Sequence, residues 1–165
     1  MSKVLTFSRI FPAYHPRKEE QTYFVEKIWN GLNDLSLPVA LNKDLPNDFL
    51  CSILPLSNYG AKYHTIRAGN RWKVGDKFSP RVWSKKPYQS KQIIIAPDIE
   101  IKKIWNIGLN IRGDFKEFYC NDCDLTGTSI YKVSENDGLS VNDFLNWFNK
   151  PFNGQIICWN ENLIY

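Results

Sequence analysis

The chain has 165 residues, 43% of them hydrophobic and 15% aromatic, and a formal net charge of +4. That length suits one domain over 1–165, with a core large enough to need no disulfide or metal staple. No run of about 18 apolar residues occurs, and the opening MSKVLTFSRIF lacks the apolar stretch and cleavage site of a secretory leader. The expectation is therefore a cytoplasmic protein without membrane contact, whose Cys51, Cys120, Cys123 and Cys158 stay reduced.

Residues 3–11 (KVLTFSRIF) read as a strand, rich in β-branched and aromatic side chains and broken by Pro12 and Pro16. Residues 20–32 read as a helix, because Phe24, Val25, Ile28, Trp29 and Leu32 follow a helical rhythm that Gly31 and Asn33 end. Residues 35–46 are irregular, and 47–53 make a helical turn or two capped by Asn47. An ordered, glycine-bounded loop is expected over 57–76. Strands follow at 77–84, 92–96 and 99–111, the last with a bulge at Lys102–Lys103, and a short strand at 115–119. Residues 129–135 are helical, Ser140 caps a helix that stops before Pro151, and 155–159 form a closing strand. The order predicts an α+β fold with a curled or closed sheet and flanking helices.

Charge is distributed unevenly. Between Gly60 and Lys91 stand nine basic residues and one acid, Asp76, so this segment carries +8 and the remainder −4. Such a local field attracts phosphate whatever the average charge. Within it, Arg81, Trp83, Lys85, Lys86 and Tyr88 interleave cations with rings, a composition suited to gripping phosphates and stacking on bases of single-stranded RNA or DNA. A solvated hairpin tip with Trp83 buried would have the same composition.

The stretch Gly60-Ala61-Lys62-Tyr63-His64-Thr65-Ile66-Arg67, followed by Arg71-Trp72-Lys73-Val74-Gly75-Asp76, resembles the signature of the ASCH family, a branch of the PUA-like fold. Members carry G-x-K-x-x-T-x-R and then a K-x-G-D turn. Asp137-Gly138-Leu139-Ser140-Val141-Asn142-Asp143-Phe144 is similar to a further family segment, E-G-[FL]-S-x-x-E-F, with Asp137 in place of the family's Glu. The TFSR strand and the closing strand fit the same plan, with 11–57 as an expansion relative to minimal members. The resemblance implies a PUA-like curled β-barrel with a cleft that binds RNA or a modified nucleoside. It also implies, from one branch, an N4-acetylcytidine amidohydrolase in which Lys62, Thr65 and Asp137 form the active site. The cleft is expected between the Lys62–Arg67 loop, the Arg71–Asp76 turn and the Asp137 segment, with His64, Arg67, Arg71, Trp72, Lys73, Arg81, Trp83, Lys85, Lys86 and Tyr88 as nucleic-acid or nucleoside contacts.

Chemistry alone allows both activities. A threonine hydroxyl becomes a nucleophile once a lysine of lowered pKa takes its proton, and a carboxylate can orient that lysine or protonate a leaving amine. The same groups also suit binding without reaction: an ammonium for phosphate, a hydroxyl and a carboxylate for a base edge. A third reading, a small phage-type accessory or inhibitor protein that binds another protein, rests on size and aromatic content alone. No cofactor motif is present, and a lone Cys120-x-x-Cys123 fits a hairpin turn at Asn121–Asp122 better than a metal site. His15 falls in a polar loop, and Trp147, Phe148 and Trp159 are expected to plug the end of the barrel.

Overall fold

The computed structural model describes residues 2–39 and 56–165, so the turn expected over 47–53 and Cys51 lie outside the described residues. The strands form two sheets. In the first, β1 (Lys3–Phe7) runs parallel to β3 (Lys77–Trp83), and β3 also pairs antiparallel with β4 (Gln92–Ile94) and β5 (Ile99–Glu100). The second is antiparallel, in the order β2 (His64–Ala68), β9 (Phe152–Cys158), β6 (Lys103–Arg112), β7 (Phe115–Cys120), β8 (Cys123–Asp124). The described helices are α1 (Phe24–Asp34), α2 (Thr128–Asn136) and α3 (Val141–Trp147). The fold is mixed α+β. Among the described residues the pairings leave two separate sheets and no closed barrel. None of the described helices is long and apolar enough to cross a membrane.

The core lies where α1 meets the sheets. The helix buries Phe24, Val25, Ile28, Trp29 and Leu32, the stripe its sequence predicts, and Trp29 Nε1 donates to Ile95 O at 2.7 Å. Phe78 and Trp159 stack obliquely, ring centroids 5.8 Å apart, and Trp72 meets Phe78 edge-on at 6.2 Å. The buried Gln155 amide clasps the Trp72 backbone: Trp72 N donates to Gln155 Oε1 and Gln155 Nε2 donates to Trp72 O, each at 3.1 Å. An amide thus extends the sheet where the main chain leaves it.

Several expectations change. The first strand ends at Phe7 rather than at 11. The helix expected over 20–32 begins only at Phe24, because Tyr23 takes a left-handed conformation with φ 56°. The expected loop over 57–76 contains a strand, β2: the β-branched Thr65 and Ile66 find partners in Ile157 and Ile156 of β9, and this pairing outweighs the flanking glycines. The single strand expected over 99–111 is two strands in different sheets. Gly75 N donates to Ile101 O and Ile101 N to Asp76 O, both at 2.9 Å, which hold the crossing point to the Lys73–Asp76 turn. Asn121 and Asp122 both have positive φ, 47° and 66°, as a tight two-residue hairpin requires, and Cys120 faces Cys123 across it.

Candidate functional site: a cavity floored by a buried lysine–aspartate pair

Lys62 reaches the interior because two helices converge on its backbone. Its N–H donates to Lys27 O of α1 at 2.9 Å, and the next residue, Tyr63, donates to Asn136 O at the end of α2, also at 2.9 Å. The approach to α1 needs Gly31: a Cβ there would stand 2.3 Å from Lys62 O. Asp137 is presented by the way α2 stops. Gly138, with φ +77°, accepts the left-handed turn, so Gly138 N bonds Glu135 O at 2.8 Å and Leu139 N bonds Ser134 O at 3.0 Å. Ser140 then starts α3 by accepting from Asp143 N at 3.0 Å. The Asp-Gly-Leu-Ser run is therefore a helix stop and a helix start back to back, with the Asp137 carboxylate turned inward at the junction.

There the Lys62 ammonium donates to Asp137 Oδ1 and to Asp137 O, each at 2.5 Å, and lies 4.3 Å from the centroid of the Phe24 ring. The lysine is 1% exposed and the aspartate 5%. A cation at the negative end of α2 is favoured by the helix dipole, while the carboxylate at the same end is disfavoured. Burial lowers the Lys62 pKa to about 8, against the opposing pull of Asp137, and burial raises that of the Asp137 carboxyl above its ordinary range. Both shifts work against charge at a desolvated site. Although aspartate is one methylene shorter than glutamate, the carboxylate still reaches the ammonium.

Above this pair lies a cavity of about 290 Å³, walled by Lys62, Thr65, Arg67 and Asp137 together with Thr6, Phe7 and Ser8 at the end of β1, Phe24, Trp83, Pro87 and Tyr88 at the β3–β4 tip, and Trp147 and Phe148 at the end of α3. Thr65 and Arg67, two apart on β2, share one face of the strand. Arg67 Nη2 donates to Thr6 O at 2.6 Å, tying β2 to β1 across the cavity. Trp83 and Tyr88 are 5.3 Å apart at 49°, and Tyr88 is 88% exposed.

Of the residues singled out in the sequence, Lys62, Thr65, Asp137, Arg67, Trp83 and Tyr88 come together in this cavity. Lys85 lines a second hollow of about 180 Å³ that shares Phe7, Ser8, Trp83 and Pro87 with the first. The expected Arg71–Asp76 wall is a correction: that turn is not part of the cavity. It is pinned by Lys3, whose ammonium meets Asp76 Oδ2 at 2.6 Å and Arg71 O at 3.0 Å. Arg71 and Lys73 are exposed beside it, Lys86 is exposed on the β3–β4 tip, and Arg81 is half-buried against Ser79 Oγ and Gln92 Oε1. Trp72 is 2% exposed and packed on Phe78, so it offers no face for stacking. His64 is likewise buried, edge-on to Tyr165, with Nδ1 3.6 Å from Asp137 Oδ1 behind the cavity. His15 is buried too: its Nδ1 accepts from Arg17 N at 3.0 Å, leaving Nε2–H to donate to Asp143 O at 3.1 Å.

Sequence reasoning missed Thr6, Ser8, Phe24 and Pro87, and assigned Trp147 and Phe148 to filling alone. Phe24 is indistinguishable in sequence from the other core positions of α1, and the β1 wall follows only from its parallel pairing with β3. Comparison of the chain with protein-family models, curated proteins and solved structures finds no match.

Proposed function

We propose that the chain is a PUA-like protein of the ASCH kind whose cavity takes one modified pyrimidine nucleobase, as a free nucleoside or presented by RNA. The observation that carries this reading is the buried Lys62–Asp137 pair at the floor of a base-sized cavity with Trp83 and Tyr88 at its mouth. Rings supply flat stacking surface, while an ammonium and a carboxylate complement the donors and acceptors on a base edge. The exposed Lys85 and Lys86 beside the mouth suit the phosphates of a strand whose end enters the cavity. The reading keeps the protein in the cytoplasm, where RNA and nucleosides are met. Calorimetric titration with cytidine, N4-acetylcytidine and a short single-stranded RNA tests it. Saturable one-site binding of a nucleoside, lost in Trp83→Ala, is expected; absence of binding by all three ligands contradicts it.

The lowered pKa of Lys62 favours a second reading, metal-independent hydrolysis of an N4-acyl cytidine. With a pKa of about 8, about a tenth of Lys62 is neutral at pH 7, a few hundred times the share of an ordinary lysine. Neutral Lys62 takes the Thr65 hydroxyl proton as Oγ1 bonds to the acyl carbonyl carbon. The carbon–N4 bond then breaks, the leaving amine receives that proton, and water releases the acyl group from Thr65 as a carboxylic acid. Asp137 holds the ammonium in place through the transfer. Release of cytidine from N4-acetylcytidine is expected to rise with pH through about 8 and to vanish in Thr65→Val and Lys62→Ala. Binding of acetylcytidine without turnover at high protein concentration leaves the first reading and removes the second.

A further inference from the structure

The cavity holds more positive charge than it can neutralise from its own walls. Its charged lining residues are Lys62, Arg67 and Asp137, and Asp137 is engaged by Lys62 at 2.5 Å. Lys27 adds a third cation next to the floor, its ammonium bonded to Gly138 O at 2.7 Å. Arg67 is therefore the surplus cation. Its Nη2 is held by the Thr6 carbonyl and its Cζ lies 5.4 Å from the Phe7 ring, but its buried Nε–H has no acceptor, and no carboxylate among the described residues forms an ion pair with it. An anchored guanidinium with an unsatisfied buried donor is a costly arrangement unless an acceptor arrives from outside. Guanidinium is also the side chain best matched to phosphate oxygens.

We propose that Arg67 is the anion-recognition group of this cavity and that the preferred ligand carries a phosphate, so that a nucleotide binds in preference to the neutral nucleoside. This rests on the nucleoside reading above and adds to it a requirement for negative charge. The phosphate oxygen accepts from the Arg67 guanidinium, which Thr6 O and Phe7 hold in place, while the base keeps the Lys62–Asp137 floor and the aromatic mouth.

The test is calorimetric titration of the wild type, Arg67→Gln and Arg67→Lys with cytidine, cytidine 5′-monophosphate and inorganic phosphate, with a thermal melt of each variant. The wild type is expected to bind the monophosphate about tenfold or more tightly than cytidine, the strength of a charge-assisted contact. Arg67→Gln should erase that difference, with a lower melting temperature from the lost bond to Thr6 O, and Arg67→Lys should restore only part of it. Equal affinity for cytidine and its monophosphate in the wild type overturns the proposal, as does an equal loss for both ligands in Arg67→Gln, which would make Arg67 a brace between β2 and β1. If neither cytidine compound binds but phosphate does, and only with Arg67 present, the anion site stands and the nucleoside reading fails. If phosphate also fails to bind, the proposal falls. Should Arg67→Gln unfold, Arg67→Lys and the comparison of cytidine with its monophosphate on the wild type decide.

Discussion

The floor of the cavity and the rim at the β3–β4 tip draw their cations from one basic stretch, Gly60 to Lys91, yet the protein treats them oppositely. Lys62 is enclosed by α1, the end of α2 and the Phe24 ring, and its ammonium is fixed by two oxygens of one residue. Lys85 and Lys86 stand in solvent on a turn stabilised by the Ser90 hydroxyl, which accepts from Lys85 N at 3.0 Å and donates to Lys86 O at 2.9 Å. The difference is desolvation. In water an ammonium interacts weakly with its neighbours and contributes mainly a field; out of water it must be paired or give up its proton. Charge density along a sequence therefore marks where anions are drawn, and burial decides which cation can do chemistry.

The sharpest way to break this contrast is to unpair the floor. Lys62→Met strips the buried Asp137 of its ammonium partner and is expected to destabilise the fold by about 3–5 kcal/mol, whereas the double variant with Asp137→Leu recovers most of that loss, as read from urea denaturation. Two backbone positions come next. Gly31→Ala drives a Cβ to 2.3 Å from Lys62 O and should cost about 1–3 kcal/mol, and Gly138→Ala, at φ +77°, about 1–2 kcal/mol. At the rim, Lys85→Ala with Lys86→Ala should change stability by less than about 0.5 kcal/mol, while lowering the salt slope of single-stranded RNA binding by about 1.4 for two lost phosphate contacts. An unchanged slope would separate the rim from nucleic acid altogether.

The pH dependence separates the two regions further. The folded-state pKa of Lys62, about 8, lies below its ordinary 10.5, so between these values the unfolded chain binds more protons than the folded one. Stability contributed by this group accordingly increases with pH across that window. Denaturation midpoints of Lys62→Met should lack that increment relative to the wild type, and those of Lys85→Ala should keep it.

Local pattern made much of this legible. The apolar stripe of α1, the Asn121–Asp122 hairpin and the Ser140 cap follow from residue types at fixed spacing, and each appears where the sequence puts it. Lys62, Thr65, Arg67 and Asp137 were grouped through motif resemblance, and the cavity brings all four together. What stayed hidden depends on pairing between distant segments. Nothing local tells that β1 lies parallel to β3, which makes Thr6 and Ser8 cavity walls, or that Gln155 clasps the Trp72 backbone and takes that ring out of contention for a ligand. His64 shows the same limit: inside the motif, yet facing Tyr165 rather than the cavity.

The central claim, that a desolvated Lys62 floors a site for a nucleobase, is tested most directly by following the lysine side-chain signals by NMR through a pH titration, with Lys62→Met for assignment, in the absence and presence of cytidine. The account predicts one lysine with a midpoint near 8 whose signal moves when the nucleoside is added. A Lys62 midpoint at 10.5, or a signal indifferent to the nucleoside, would contradict it.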